Sequence, residues 1–326
     1  MISVTISARA ILTGALLAIW GAAALPASAQ LYFSDLFNPN FETGHINRVN
    51  TDGSGLTELV NTGGGGGGRG LDVDLQGGKM YWADVNDSII RRANLDGSGQ
   101  ENLLKLSGKE LPFPSALAVH NPSRKFYWGD QTLGTMNRAN LDGSDSEVLF
   151  STSFHRGLAI DSVNGKMYWS TSISQFKGEV WRANLDGSDR EVVLASNDER
   201  FKPNKLALDI GSGKVYWTDY VVDIVRRSNL DGSGIQNLYT PPFNRNPQGI
   251  ALDLVAGQVY WGQDIEIEGH TGKIMTMNLD GSNAHDFLGG FGHVNEIVFA
   301  PVPEPATILV VLVGALGTMR RAARRP

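Results

Sequence analysis

Short runs of alternating apolar and polar residues fill the middle of the chain, and turn residues separate them. One stretch has such runs at residues 206–209, 214–217, 225–230 and 235–239, with a turn at Gly213. Alternation with a period of two over four to eight residues is typical of β-strands. The pattern predicts a unit of four strands, which we call A to D in chain order.

This unit recurs along the chain. The triplet Asp-Gly-Ser begins at Asp52, Asp96, Asp142, Asp186, Asp231 and Asp280. An aromatic pair recurs in phase with it, at Tyr32-Phe33, Tyr81-Trp82, Tyr127-Trp128, Tyr168-Trp169, Tyr216-Trp217 and Tyr260-Trp261. Six four-stranded repeats at this period predict an all-β fold, a six-bladed β-propeller. The Asp-Gly pair predicts a hairpin turn between strands C and D in which both central residues have positive φ.

The first repeat lacks a strand A, because Tyr32 lies close to the start of the predicted domain. A spare strand at Glu296 to Phe299 follows the last repeat and has no aromatic pair after it. We therefore expect the C-terminal strand to close the ring by pairing with the strand of Tyr32, which limits exposed strand edges.

The repeat motif resembles a known family. Residues 216–219 read YWTD, residues 81–84 and 127–130 are near matches, and residues 90–98 read IRRANLDGS. These motifs are similar to the YWTD, or class B, repeats of low-density-lipoprotein receptors, over residues 31 to 300. The resemblance implies a six-bladed propeller that binds protein ligands on one face. Thr171 replaces the motif's Asp in blade 4, and the receptors' cysteine-rich flanking modules are absent, which implies a bacterial relative of the propeller and not a receptor.

The N-terminal segment predicts export. Residues 1–29 hold Arg9, an apolar run from Ala10 to Leu25 and an A-x-A cleavage site at residues 27–29. This arrangement is typical of a secretory signal peptide. The propeller is expected to occupy residues 30–301.

The C-terminal segment, residues 302–326, combines Pro303-Glu304-Pro305 with a short apolar run and a terminal arginine cluster. It resembles the PEP-CTERM sorting signal of Gram-negative bacteria. That resemblance implies transient membrane insertion of the C-terminal helix, processing by an exosortase-type enzyme, and delivery to the cell envelope or the exterior. A retained tail anchor is the alternative, although the apolar run is shorter than the roughly 20 residues that span a bilayer.

Composition excludes several chemistries. The chain has no cysteine, which rules out disulfides, thiolate metal sites and a cysteine nucleophile. The formal charge is -6 with 28 basic and 34 acidic residues; without Arg9 and the four C-terminal arginines, 23 basic against 34 acidic residues give -11. An acidic protein is a poor partner for nucleic acid.

Catalytic motifs are missing from the sequence. The six histidines form no HExxH pattern, and there is no GxSxG. The run Gly63 to Gly68 lacks the Gly-Lys-Ser/Thr ending of a phosphate-binding loop, so we expect a flexible loop there. We predict no catalytic residue, no metal and no cofactor. The alternative is a six-bladed propeller enzyme, a lactonase-like hydrolase or a lyase, with an axial metal site.

Residues that recur in every blade are expected to be structural. An Asn and an Arg precede most Asp-Gly-Ser triplets, and an Asp closes most A strands, which predicts hydrogen bonds and turn capping. Asp72 differs, because it stands in a strand A position that is Ala or Val in the other blades. It is the candidate for a site in the axial channel; a salt bridge with Arg69 is the alternative.

The predicted ligand-binding face is the end formed by the B-to-C and D-to-A loops, since three B-to-C loops carry insertions and loops on a rigid scaffold often carry function. Its candidate residues are Phe37, Phe41, Phe113, Phe154, Arg156, Phe176, Phe201, Lys202, Lys205, Phe243, Arg245 and Phe291. Exposed aromatics beside cations have the composition of an interface core. The alternative is that each Phe tucks beneath its own loop. The sequence thus predicts an exported, non-catalytic binding or scaffold propeller for an extracellular protein or a glycan, with a purely structural matrix subunit as a further possibility.

Overall fold

The structure, a computed structural model, describes residues 28–36, 43–63, 67–108, 110–198, 200–219, 221–241, 245–264 and 272–301. Within them lie a turn of 3-10 helix at Asn121–Ser123 and 24 strands. The strands are β1 (Gln30–Leu36), β2 (Gly44–Asn50), β3 (Thr57–Gly63), β4 (Gly67–Asp74), β5 (Lys79–Asp84), β6 (Ile89–Asn94), β7 (Glu101–Lys105), β8 (Pro114–His120), β9 (Lys125–Asp130), β10 (Thr135–Asn140), β11 (Glu147–Ser151), β12 (Phe154–Asp161), β13 (Lys166–Ser172), β14 (Gly178–Asn184), β15 (Glu191–Leu194), β16 (Pro203–Asp209), β17 (Lys214–Asp219), β18 (Ile224–Asn229), β19 (Gln236–Tyr239), β20 (Pro247–Asp253), β21 (Gln258–Gln263), β22 (Gly272–Asn278), β23 (His285–Phe291) and β24 (His293–Ala300). The described part of the chain contains no helix of the length and apolarity that crossing a bilayer requires.

The strands form six four-stranded antiparallel sheets, which are the blades of a propeller. Blade 1 has the order β24-β1-β2-β3, and blades 2 to 6 each consist of four consecutive strands. In blade 1, Tyr32 lies opposite Val298 and Gln30 opposite Ala300. The prediction that the C-terminal strand closes the ring is confirmed. The six A strands (β24, β4, β8, β12, β16 and β20) each contact the A strands of both neighbouring blades, and so surround the axis.

The aromatic pair of strand B joins each blade to both of its neighbours. Successive side chains on a strand point to opposite faces of the sheet. In blade 2, Trp82 packs towards blade 1 in a cluster with Tyr32, whereas Tyr81 packs towards blade 3 with Trp128. Each interface between blades repeats this meeting of a Tyr with the next blade's Trp or, in blade 1, Phe33. The repeated pair therefore supplies the hydrophobic core, which is divided into six shared clusters.

The recurring Arg adds polar links between blades. Arg92 Nη1 donates to the Leu141 carbonyl of blade 3 at 2.8 Å, and its Nε donates to Glu101 at 2.7 Å. Arg227 makes the same link from blade 5 to the Leu279 carbonyl of blade 6, at 2.7 Å. These side chains are structural, as the sequence predicts.

The turn between strands C and D differs from the prediction. In the first triplet Gly53 has a φ of 83°, whereas the triplet Asp residues are not among the described non-glycine residues with positive φ. Asp52 Oδ1 instead accepts hydrogen bonds from the amide (2.9 Å) and the hydroxyl (2.6 Å) of Ser54. The expected two-residue turn with two positive φ values is therefore wrong. The Gly53 amide donates to the Asn50 carbonyl at 2.9 Å, as in a longer loop that ends on a left-handed glycine.

Each A strand is irregular near its first residues, where its pairing with strand B shifts. In β4 the pairing shifts on both sides of Arg69, and Gly68 and Gly70 have φ values of 86° and 52°. Gly63 ends β3, and Gly67 and Gly68 begin β4, so the expectation of a loop over residues 63–68 is wrong for these three residues. Bulges re-aim side chains at strand ends. Here they occur at one end of all six inner strands.

Candidate binding site at the axial mouth

The six A strands enclose a channel along the axis with a volume of about 320 Å³. Its walls are largely aliphatic, with Leu117, Leu158 and Leu206 at equivalent positions of three blades. The lining residues come from the middle and the second half of the A strands, for example Val119, Ile160 and Leu252.

A set of polar residues lies near the start of the A strands, beside the D-to-A loops of the face that the sequence predicts to bind a ligand; we call this end of the axis the axial mouth. Each lies three residues before the A-strand position that Asp72 occupies in blade 2, within or beside the bulge. We call this set the axial polar ring; its members are Arg69, Ser115, Arg156, Asn204, Gln248 and Asn295. Ser115, Asn204, Gln248 and Asn295 are 5% exposed or less. A bulge in the strand thus replaces the expected apolar packing with buried polar groups.

Contacts between blades that are not neighbours locate the site on the axis. Lys205 of blade 5 places its Nζ 2.5 Å from Glu296 Oε2 of blade 1 and 3.4 Å from the Ser115 carbonyl of blade 3. Side chains of such blades can meet only near the axis. Asn204 Nδ2 also donates to Gln248 Oε1 of the adjacent blade at 3.2 Å. The polar side chains of several blades therefore converge.

Positive charge dominates the mouth. Burial lowers the pKa of Lys205; the Glu296 carboxylate opposes this shift, and the charges of Arg156 and Arg69 add to it. Burial, together with the charge of Arg156, lowers the pKa of Arg69 to about 10. Three cations thus lie within electrostatic reach of one another, with Glu296 as a counter-charge. Burial raises the pKa of Glu296, and Lys205 opposes that shift.

Arg69 contacts an aromatic ring at the axial mouth. Its guanidinium lies 5.2 Å from the centroid of the Phe113 ring, a cation–π contact. Its buried Nε has no hydrogen-bond partner among the described residues. Buried cations are normally paired, and an unpaired one is costly. The position of Arg69 is therefore better suited to an incoming anion than to stability.

Asp72 lines the channel, as predicted, but its contacts are with backbone. Oδ1 accepts from the Val73 amide at 2.7 Å, and Oδ2 accepts from the Val119 amide of blade 3 at 2.7 Å. Burial raises the pKa of Asp72 to about 7, and the two amides oppose that shift. The carboxylate thus ties blade 2 to blade 3, and the alternative of a salt bridge with Arg69 is not what its described contacts show.

Two of the aromatic residues predicted for an exposed patch are buried. Phe201 is 1% exposed and meets Trp217 edge to face at 6.1 Å. Phe291 is 7% exposed and packs on Phe33 at 4.9 Å. For both residues the exposed patch is wrong, and the alternative, that Phe tucks beneath its loop, is correct. The physical reason is that the chain enters strand A beside an interface between blades, where a Phe completes the apolar cluster.

Two cations of the predicted patch are buried as well. Lys202 is 7% exposed, and its Nζ donates to the Ser174 and Gln175 carbonyls at 3.1 and 3.0 Å. Lys205 is 2% exposed and pairs with Glu296. Lys202 therefore holds the B-to-C loop of blade 4, and Lys205 belongs to the axial mouth, so neither is an anchor on an exposed surface.

The remaining predicted residues are placed as follows. Phe113, Arg156 and Arg245 are half-buried, and Phe176 is 50% exposed. Phe154 begins β12, but its side chain lies outside the described part of the structure. Outside the described residues lie Phe37, Phe41, Phe243, Pro303, Glu304 and Pro305.

Sequence reasoning missed most of the axial polar ring. It identified Arg156 and Lys205 as loop-face cations and considered Arg69 only as a partner for Asp72. Glu296 was assigned to a strand without a role at the site. A signal for the ring was present, because the A-strand position three residues before that of Asp72 is polar in all six blades.

Within the described ranges, no three His, Asp or Glu side chains are grouped closely enough to hold a metal ion. Asp72 and Glu296 are the carboxylates along the described channel wall. Asp72 accepts hydrogen bonds from two backbone amides, and Glu296 pairs with Lys205.

The fold and the repeats define the class of protein: this chain is a six-bladed β-propeller built from YWTD-type repeats. No protein-family model matches it. It is 33% identical over 88 residues to low-density lipoprotein receptor-related protein 1 of Pyricularia oryzae. The match covers 26% of this chain and 28% of that protein. It is 30% identical over 163 residues to a human low-density lipoprotein receptor-related protein 5-like protein. This match covers 49% of this chain and 62% of that protein. The chain thus matches less than two thirds of the length of each relative.

Solved structures share the fold at low identity. A chain of a nidogen–laminin complex matches with a TM-score of 0.69 and 20% identity, over 85% of this chain and 100% of that one. TolB from Acinetobacter baumannii matches with a TM-score of 0.65 and 12% identity, over 84% of this chain and 67% of the TolB chain. At such identities these matches show the propeller fold alone.

Proposed function

We propose that this protein is an exported, non-catalytic binding or scaffold propeller of the cell envelope or extracellular matrix. It holds a protein partner at the loop face, with an acidic segment of the partner at the axial mouth. The convergence of Arg69, Arg156 and Lys205 at the mouth carries the proposal. A propeller that served only as a rigid spacer would gain stability from apolar residues there.

The chemistry of the mouth favours a carboxylate. Arginine presents a planar fork that can donate two hydrogen bonds to a carboxylate, and such charge-assisted bonds are the strong ones. The whole chain is acidic, with a formal charge of -6, so the basic mouth contrasts with the rest of the surface. Electrostatic complementarity of this kind guides encounter and orientation. One of the similar folds comes from a protein–protein complex, that of nidogen and laminin.

The test is retention of the purified protein on isolated envelope and matrix fractions, with an oligoglutamate peptide as competitor. We expect competition by oligoglutamate, weaker retention at high salt, and loss of retention in Arg69→Gln. The control is Arg200→Gln, which removes an exposed arginine from a D-to-A loop of the same face. Equal retention of wild type, Arg69→Gln and Arg200→Gln would contradict a role for the mouth.

Export and sorting are part of the proposal. Removal of residues 1–29 and cleavage near Pro303 to Pro305 should give one intact mass for the exported protein. We expect that mass to lack the arginines at 320–325. An exported protein that keeps those arginines would replace the exosortase interpretation with a tail anchor.

The contacts of the axial carboxylates favour binding over the alternative of a lactonase-like hydrolase or lyase. An axial metal would need several carboxylate or amide oxygens directed at one point. Asp72 accepts from the Val73 and Val119 amides, and Glu296 pairs with Lys205. These oxygens already serve the structure of the inner strands.

A further inference from the structure

A cleft on the flank of the propeller, between blades 3 and 4, differs from the equivalent cleft between blades 2 and 3. The first has a volume of about 450 Å³ and the second about 200 Å³. Both lie beside the Trp of strand B, Trp169 in one and Trp128 in the other. The difference must therefore come from the residues around that Trp.

Two positions beside this Trp also set blade 4 apart from blades 2 and 5. The strand C residue opposite the Trp is Arg91 in blade 2 and Arg226 in blade 5. Each pairs with the Asp of its YWTD motif, Arg91 with Asp84 at 2.9 Å and Arg226 with Asp219 at 3.1 Å.

Blade 4 has Thr171 in place of that Asp and Trp181 in place of that Arg. The ion pair of blades 2 and 5 is thus replaced in blade 4 by a short hydroxyl side chain and an aromatic ring, whereas the narrower cleft beside Trp128 has Asp130 and Asn137 at these positions. The strand C position is Asn47, Asn137 and Met275 in blades 1, 3 and 6, so the fold does not require an aromatic residue there.

Trp181 is held in a fixed orientation. Its ring lies nearly parallel to that of Trp169, with an interplanar angle of 25° and a centroid distance of 6.2 Å. Its indole N–H donates to Glu179 Oε2 at 2.9 Å. The ring is half-buried, whereas Trp169 is 1% exposed. Trp181 therefore forms a rigid wall of the cleft and is accessible from it.

Polar groups surround this aromatic wall. The Arg190 guanidinium lies 5.0 Å from the centroid of the Phe150 ring, on the blade 3 side of the cleft. Glu179, Thr171 and Ser151 also line it. A concave site with aromatic walls and a few hydrogen-bonding side chains is typical of a small-ligand site.

We infer that this cleft binds a pyranose unit of a glycan, with the sugar ring stacked on Trp181. A pyranose has an apolar face of C–H groups and a rim of hydroxyls. Trp181 fits the apolar face, while the Glu179 carboxylate and the Arg190 guanidinium can accept from and donate to the hydroxyls. This site is separate from the axial mouth, so the inference stands apart from the proposed protein partner.

The experiment is titration of the purified protein with cellotetraose, chitotetraose and trigalacturonate by isothermal calorimetry, each to about 10 mM, a range that detects millimolar affinities. We expect at least one of the three to saturate. Saturation by trigalacturonate alone would assign the anionic group to Arg190, and Arg190→Gln should then weaken that binding.

The decisive variant is Trp181→Asn, which introduces the residue that blades 1 and 3 carry at this position. We expect the variant to lower the affinity by up to about tenfold, because it loses an aromatic stacking contact, with little change in melting temperature. The matched control is Phe176→Ala, which removes an exposed aromatic from the same blade and should bind as wild type does.

A second variant, Thr171→Asp with Trp181→Arg, rebuilds the ion pair of blades 2 and 5 and should close the cleft. It should fold and not bind. Lack of saturation with all three probes, or equal affinity in wild type and Trp181→Asn, would overturn the inference. Because the axial variant Arg69→Gln leaves the cleft intact, its effect on retention tests the proposed function separately.

Discussion

Lys205 Nζ of blade 5 lies 2.5 Å from Glu296 Oε2 of blade 1, and Gly249 of blade 6 stands between their strands. A side chain at Gly249 would collide with the backbone of Glu296, since its Cβ would lie 2.7 Å from the Cα of Glu296. The glycine therefore lets the two inner strands come close enough for the pair. The side chains of Lys205 and Glu296 are 3% and 14% exposed, so this is a buried ion pair.

Removing one member of this pair should be costly. In Glu296→Gln, the Lys205 ammonium stays buried near Arg69 and Arg156 without its carboxylate. Breaking a buried pair in this way typically costs about 3–5 kcal/mol. We expect a loss of that size in the free energy of unfolding, measured by denaturant titration.

The double variant Lys205→Met with Glu296→Leu removes both charges and should recover most of that loss, because apolar replacement of a buried pair is often neutral. If the double variant were less stable than Glu296→Gln, the pair would be a net source of stability. The Lys205–Glu296 pair would then serve to stabilise the fold and not to bind a partner.

Arg69 is expected to be dispensable for folding. Its Nε is buried without a hydrogen-bond partner among the described residues, and its identified contact is the Phe113 ring. Arg69→Gln should leave the melting temperature unchanged or raise it, while it abolishes retention on the envelope and matrix fractions. Functional groups kept at the expense of stability behave in this way. A fall of about 2 kcal/mol in unfolding free energy, a large loss for one side chain, would show instead that Arg69 supports the fold.

Phe201 and Phe176 should respond differently to truncation, although the sequence placed both on one binding face. Phe201 is 1% exposed against Trp217, so Phe201→Ala should cost about 3–5 kcal/mol. Phe176 is 50% exposed, and Phe176→Ala should change stability by about 0.5 kcal/mol or less. Thermal melting of the two variants tests this, and similar melting temperatures would contradict the buried position of Phe201.

The sequence was sufficient for the fold because each repeat carries the same physical information. Alternating strands, a glycine turn and an aromatic pair recur six times, and a spare strand at the end has only one place to pair. Ring closure and the structural roles of the recurring Arg and Asp side chains follow from that repetition.

The site was less predictable because it depends on departures from the repeat. The bulge beside Arg69 changes which side chains meet at the axis, and period-two alternation does not reveal a bulge. Whether a loop Phe is exposed or covers a cluster depends on the path of the loop, as Phe201 shows. Trp181 is not singled out by the repeat pattern, because its surroundings depend on which blades keep the Arg-Asp ion pair, as blades 2 and 5 do.

Asp35 should make stability depend on pH. It is 5% exposed, and its Oδ1 accepts from the Gly292 amide at 2.8 Å. Burial raises its pKa from 3.8 to about 6; the Gly292 amide, His45 and His293 oppose that shift, and Asp264 adds to it. The folded state therefore holds this proton more tightly than the unfolded state. Its stabilising contribution is complete below about pH 4 and is lost as the pH rises through 6.

Asp35→Asn keeps the acceptor and removes the titration. Relative to wild type, the variant should gain up to about 3 kcal/mol in unfolding free energy between pH 4 and pH 7, at about 1.4 kcal/mol per unit of pKa shift. Chemical denaturation of both proteins at a series of pH values measures this difference. Parallel pH profiles would contradict the elevated pKa of Asp35.

Removal of β24 should destroy the cooperativity of the whole ring. A chain that ends at Phe291 leaves β1 paired with β2 alone and takes Val294 and Ile297 out of the cluster shared by blades 6 and 1. Every blade packs on two neighbours, so one open interface weakens the ring on both sides, and β1 becomes an exposed edge that invites aggregation.

A chain that ends at Pro301 keeps β24 and serves as the control. We expect the Pro301 chain to melt in a single transition like the full-length protein, and the Phe291 chain to melt broadly at a lower temperature. If both chains melted alike, strand pairing between the two ends would contribute nothing to stability, and the ring would have to be held by its other interfaces alone.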